Sequence, residues 1–266
     1  MAQRLEALGV PTRIASRSGT PAFDWDDPST WSGILHDVDA LYIAYYPDLA
    51  VPGAADRIRR LTAQAVASGT KRIVLLSGRC EAGVLPSEQA VRESGADFTI
   101  LRAAFFAQNF SEGMLHEAVL SGTVAFPAGA IAEPFLDLDD LADVAALALT
   151  RDGHAGQTYE LTGPRCLTFS EAVAELASAT GRELHYAPVS SAAYAKALEA
   201  FVPAEFAAFL QQLFDEVLDG HNAFVTDGVE RALGRAPRDF RTYARDAARA
   251  GAWAAAAPQQ FLDQVG

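Results

Sequence analysis

Cysteine is almost absent from this chain. Cys80 and Cys166 are the only two, far apart and outside any Cys-x-x-Cys or Cys/His spacing. That excludes a disulfide framework, supplies no zinc pattern, and makes a reducing cytoplasm the expected compartment. His36, His116, His154, His185 and His221 lack metal-ligand spacing and no Gly-x-Ser-x-Gly elbow occurs, so metal and acyl-transfer chemistry are disfavoured. Basic charge is scarce: 21 Lys and Arg stand against 34 Asp and Glu, a formal net charge of -13. Such a surface repels a phosphate backbone, and no nucleic-acid partner is expected. Long apolar runs are missing too. Nothing approaches the ~18 residues of a membrane span, and Met1 to Gly9 lack the apolar stretch of a signal peptide, so no membrane partner is expected.

What is present is an ordinary globular composition, 50% hydrophobic and 21% charged, in a length near the limit of a single core. Short apolar runs at 12–17 (TRIASR), 39–46 (DALYIAYY), 71–77 (KRIVLLS) and 97–102 (DFTILR) read as buried parallel strands. Helix-period segments at 53–68 and 86–94 lie between them, each followed by a stop glycine, Gly69 or Gly95. Alternation of this kind predicts βαβ units. In the second half, Asp139 and Asp140 are expected to cap a helix, and DLDDLAD reads as capping plus a solvated face. Thr168 and Glu171 have capping-box spacing, and two helices are expected in 190–220 and two more in 226–250. The expected layout is a nucleotide-binding region over 1–130, a mixed region over 131–253 that completes the sheet and forms a smaller helical substrate lobe, and a tail over 254–266.

The opening is unusual. AQRLEALG has the shape of the last turns of an amphipathic helix, and a strand follows it. In a doubly wound sheet such a helix follows a first strand and a Gly-x-Gly-x-x-Gly phosphate turn, yet Gly9, Gly19, Gly33 and Gly53 have no such spacing. The expectation is a doubly wound, Rossmann-type α/β sheet lacking its first strand, with either a gap, direct pairing of 12–17 with 39–46, or an edge completed by another chain. An N-terminal helix of a different layout is the alternative.

PTRIASRSG followed by FDWDDPSTW, DALYIAYYPDL, KRIVLLSG, ESGADFTILRAAFFAQNFSEG, EPFLDLDDLADVA and YELTGP occur in a specific order. From Ala2 to about Trp253 the chain resembles the NmrA-like group of atypical short-chain dehydrogenases/reductases, in the branch of the ergot-alkaloid reductases of festuclavine/agroclavine dehydrogenase type. The resemblance implies NAD(P) binding. It places Arg17 and Ser18 at the ribose selector, where a guanidinium favours NADP(H) over NAD(H). Tyr45 and Tyr46 fall in the loop under the ribose and nicotinamide, although such aromatics also serve as the lip of a core. Ser77 matches the position of the serine in classical relatives, Gly78 beside it is counted with the cofactor-binding residues, and Arg102, Phe105, Phe106, Gln108 and Asn109 fall where the nicotinamide and substrate pocket is lined. Asn109 is equally well explained by turn chemistry.

No Tyr-x-x-x-Lys pair is available: Lys71 and Lys196 are the only lysines, and the corresponding helix reads SEQAVRES, whose Glu88 and Arg92 suggest a surface pair. No catalytic acid or base is assigned. The resulting reading is a cytoplasmic NADPH-dependent oxidoreductase, monomer or homodimer, passing hydride directly to a small apolar quinone, imine or enone-like molecule. A non-enzymatic NADP-binding sensor is the alternative, as is a chain that binds dinucleotide poorly because the glycine turn is not in it.

Overall fold

The computed structural model describes residues 1–254; apart from Ala254, the predicted tail over 254–266 lies outside the described residues. The first half runs α1 (Ala2–Ala7), α2 (Trp31–Leu35), β1 (Ala40–Ile43), α3 (Ala54–Ala67), β2 (Arg72–Gly78), α4 (Leu85–Arg92) and β3 (Asp97–Ala103). Then come α5 (His116–Ser121), β4 (Thr123–Phe126), β5 (Ala132–Glu133), α6 (Leu138–Thr150), β6 (Gln157–Leu161) and β7 (Leu167–Thr168). The chain continues through α7 (Phe169–Thr180), β8 (His185–Pro188), α8 (Ser191–Leu198), α9 (Ala204–Val217), α10 (Gly228–Leu233) and α11 (Phe240–Arg249).

Four strands form the main sheet in the order β1-β2-β3-β6, all parallel. Ile73, Leu75, Ile100 and Leu101 are fully buried, as continuous apolar runs require when helices cover both faces. One face packs with Ile58, Leu61 and Ala65 of α3. The other packs with Leu141, Val144 and Ala145 of α6 and with Leu5 of α1. Gly69 and Gly95 take positive φ (+100° and +84°) just past α3 and α4, a backbone shape that favours glycine and ends each helix before the next strand.

Two sequence expectations are corrected here. Residues 12–17 form no strand: the segment is exposed, with Ile14 70% accessible, and β1 is the sheet edge. A strand persists only where its N–H and C=O groups find a ladder, and none adjoins this segment. Arg13 instead tethers it by donating to the carbonyls of Ile34 (2.7 Å) and His36 (2.8 Å). Direct pairing of 12–17 with 39–46 therefore does not occur, and β1 is left as the edge of the described sheet. The strand expected over 39–46 is also shorter, because its register with β2 ends at Ile43 opposite Leu75 and leaves Tyr45 and Tyr46 in a loop.

The second half follows its capping signals with one correction. Thr168 and Glu171 form the reciprocal capping box that opens α7. α6, however, is capped by Asp137, whose side chain accepts from the Asp139 N–H at 2.9 Å. Nor is DLDDLAD a solvated face: Asp137 and Asp140 are 3% and 0% accessible. Arg238 donates to Asp137 at 2.7 Å and Arg235 pairs with Asp140 at 2.7 Å, so cations from distant sequence make burial tolerable. A second core, built on stacked and edge-to-face Phe126, Phe135 and Phe169, unites β4, α7, α9 and α11 beside the sheet.

Candidate active site

The carboxyl ends of parallel strands leave a crevice where the chain departs in loops, and open α/β sheets hold their ligands there. Here β2 and β3 end in Ser77-Gly78 and Ala103-Ala104, and a cavity of about 290 Å³ opens beside them. Tyr45 and Asp48 from the β1 loop, Phe105, Phe106 and Asn109 after β3, and Met114 form much of its wall. Leu213, Phe214 and Val217 of α9 close it from the side. A wider groove of about 900 Å³ runs between α7 and α11 among Arg165, Arg241 and Arg245, but touches none of these strand ends.

Beneath the cavity lies a charged network. Ser77, 4% accessible, donates to Glu88 Oε1 at 2.8 Å. Arg102 grips the same carboxylate bidentately, Nε to Oε1 at 2.8 Å and Nη2 to Oε2 at 2.7 Å. Arg92 stands 3.6 Å from Glu88, which is 2% accessible. The surface pair expected of Glu88 and Arg92 is thus a buried cluster, completed by an arginine from β3. Burial pushes the Glu88 carboxyl up, but hydrogen bonds from Arg102 and Ser77 outweigh it and hold the group below its ordinary value. Arg102 also reaches Glu160 at 3.6 Å, and Arg79 meets Glu160 at 3.5 Å. Arg79 is 2% accessible, donates to the carbonyls of Asn222 (2.9 Å) and Phe224 (3.1 Å), and lies 3.9 Å from the Phe224 ring.

Two carboxyls facing the cavity behave differently. Glu133, on β5, is 3% accessible, and its Oε1 has no hydrogen-bond partner among the described residues. Burial raises its pKa to about 7, opposed only in part by Arg79 and His221. Glu81 is raised to about 8, first by burial and then by repulsion from Asp48 and Glu216, and its Oε2 also has no partner among the described residues. Sequence reasoning missed both acids. A signal existed for Glu133: it is the single charge in the apolar run AGAIAEPF.

Of the residues proposed from sequence, Tyr45, Ser77, Gly78, Phe105, Phe106 and Asn109 converge on the cavity. Arg102 lies below it in the Glu88 pair. The Gln108 amide is committed to the start of α6, donating to Asp137 at 2.8 Å and accepting from the Leu138 N–H at 2.9 Å. Tyr46 is 74% accessible outside the cavity. Arg17 and Ser18 are exposed in the segment before Phe23. Among the described residues no cluster of three or more His, Cys, Asp and Glu is arranged to hold a metal, and no helix is long and apolar enough to cross a membrane.

A parallel sheet flanked by helices, with an apolar cavity on its carboxyl edge, defines a Rossmann-like dinucleotide-binding fold. No family model matches the sequence. The chain is 31% identical over 266 residues to the uncharacterized oxidoreductase YesF of Bacillus subtilis, covering 95% of this chain and 91% of that one. It is 30% identical over 266 residues to the NAD(P)H azoreductase of Xenophilus azovorans, covering 96% and 88%. The NADPH-dependent quinone oxidoreductase QOR2 of Escherichia coli, solved with NADPH, shares the fold at a TM-score of 0.72 and 23% identity, covering 92% and 86%. The chain belongs to the NmrA-like family of atypical short-chain dehydrogenases/reductases, NAD(P)H-dependent oxidoreductases.

Proposed function

We propose that this protein reduces a small apolar quinone, imine or enone-like acceptor with NADPH, by direct hydride transfer in the sheet-edge cavity. The observation that carries this reading is the cavity itself: aromatic and aliphatic walls from Phe105, Phe106, Leu213 and Phe214, polar and charged groups such as Asn109, Glu81 and Glu133 set among them, and the Ser77-Gly78 strand end that opens onto it. In relatives the names point the same way, to an azoreductase and a quinone oxidoreductase. NADPH, when bound, supplies the hydride; the protein holds donor and acceptor in line and keeps water out. Tyr45, Ser77, Gly78, Phe105, Phe106 and Asn109 are the residues proposed to line the nicotinamide and acceptor. Arg17, exposed and without an ion pair among the described residues, fits a 2′-phosphate and is the basis for preferring NADPH over NADH.

The cofactor fit is good at the nicotinamide end and incomplete at the diphosphate. No Gly-x-Gly-x-x-Gly turn at a helix start occurs in residues 1–266 to receive it. The test is NADPH consumption, followed by the loss of reduced-nicotinamide absorbance, with menadione and with an azo dye. Acceptor-dependent oxidation that saturates with acceptor supports the reading. No oxidation at millimolar NADPH overturns it and leaves a binding or sensor role. The proposed setting is the cytoplasm, as a monomer or homodimer.

A further inference from the structure

We propose that Glu133 is the proton donor of the reduction, a role that rests on the reductase reading above. Hydride transfer leaves an electron pair on a heteroatom of the acceptor, and that atom must be protonated. The usual tyrosine-lysine pair is not available, since Lys71 and Lys196 are the only lysines and both are exposed. Ser77 is not available either, because its hydroxyl proton is donated to Glu88. Glu88 is itself saturated by Arg102 and Ser77.

Glu133 has what those groups lack. It lines the same cavity as Ser77, Phe105 and Asn109, is 3% accessible, and carries a buried oxygen with no partner among the described residues. Its backbone is held in the short β5–β7 ladder, opposite Leu167. A buried carboxyl without a fixed donor is most cheaply kept protonated, and a protonated carboxyl in an apolar cavity can donate. The groups that bear on it are Arg79 after β2 and His221 after α9, which favour ionisation, and Cys80 and Cys166, whose thiols feel the Glu133 charge. Burial outweighs the two cations and sets the carboxyl near the pH at which donation and recovery balance.

With a quinone the atoms balance as follows. One end of the conjugated system gains the hydride, and the C–H bond of the reduced nicotinamide is the bond that breaks. The oxygen at the other end, left with the electron pair, takes the proton from Glu133. The carboxylate recovers a proton from water, and hydroquinone and NADP⁺ leave.

The experiment is the pH dependence of kcat for menadione from about pH 5.5 to 9 at saturating NADPH, in the parent, Glu133→Gln and Glu81→Gln. The parent is expected to lose kcat above about pH 7, as the donor deprotonates. Glu133→Gln is expected to cut kcat at pH 6 by roughly a hundredfold, to erase the falling limb, and to converge with the parent at high pH. A purely structural glutamate would not produce that convergence. Glu81→Gln should keep the limb. A parent that turns over while Glu133→Gln keeps the limb, or a limb lost only in Glu81→Gln, overturns the assignment and leaves the reductase reading intact. A parent with no turnover overturns both. Difference infrared spectroscopy is the independent readout: a carboxyl band titrating near pH 7 must disappear in Glu133→Gln, and its persistence also overturns the proposal.

Discussion

At the scale of single residues, the informative side chains are charges that burial has forced into definite relations. Glu88 is the clearest. It is 2% accessible and takes three hydrogen bonds, from Ser77 and from both arms of Arg102. Replacing it by Gln leaves Arg102, 25% exposed, with Glu160 at 3.6 Å as its remaining counter-charge. Partial solvation of Arg102 moderates the loss, and Glu88→Gln is expected to cost about 2 kcal/mol, or about 5 °C in melting temperature by calorimetry. Arg17 makes the opposite case. It is exposed and its removal should leave stability unchanged. If it reads a 2′-phosphate, Arg17→Ala raises KM for NADPH roughly tenfold to a hundredfold and leaves KM for NADH alone, as the loss of a charge-assisted bond requires. Equal effects on both cofactors would remove Arg17 from the site.

Among the elements, helix starts show how much a cap depends on its surroundings. Thr168 and Asp137 both cap with a side-chain oxygen, but the α7 box is exposed whereas Asp137 is 3% accessible. Asp137 also accepts from Gln108 and Arg238, joining α6 to the loop after β3 and to the approach to α11. Thr168→Ala should therefore cost about 1 kcal/mol. Asp137→Ala, which strips a cap and removes the buried carboxylate that pairs with the half-buried Arg238, should cost about 2 to 3 kcal/mol in urea unfolding. Similar values for the two would mean that the Asp137 contacts contribute little beyond the cap.

For the whole molecule, the pH dependence of stability follows from two sets of carboxyls. Glu81 and Glu133 are raised from an ordinary 4.5 to about 8 and about 7. The folded state holds their protons more tightly, so the stability they contribute is present below pH 4.5 and is lost as pH rises through 7 to 8. Glu88, Glu175 and Asp239 are lowered by their arginine partners, against the cost of burial. Their contribution is present above the ordinary value and is lost as pH falls through the folded one. The net charge of -13 adds repulsion at high pH. Urea midpoints should peak near pH 5 and decline toward pH 8.5, and the Glu81→Gln, Glu133→Gln double variant should flatten the decline. A midpoint that climbs steadily to pH 8.5 would contradict this.

Sequence alone determined the parallel run of β1, β2 and β3 and the ends of α3, α4 and α7 to within a residue or two, because those depend on local matters: apolar runs such as KRIVLLS and TILR, the stop glycines Gly69 and Gly95, and the capping box of Thr168 and Glu171. The family resemblance put Ser77, Gly78, Phe105 and Phe106 near cofactor and substrate, and the fold brings them to one cavity because consecutive parallel strands end on one edge. Long-range pairing was not legible there. TRIASR has strand composition but no ladder, and only tertiary structure decided that it stays an exposed segment. The acids of DLDDLAD and the helix pair Glu88 and Arg92 have surface composition, yet Arg235, Arg238 and Arg102 arrive from other elements and draw them inside. For the same reason the candidate proton donor appeared only in the fold: a carboxyl's protonation depends on burial and on the partners it lacks, and for Glu133 both are set by strands and loops far from it in the chain.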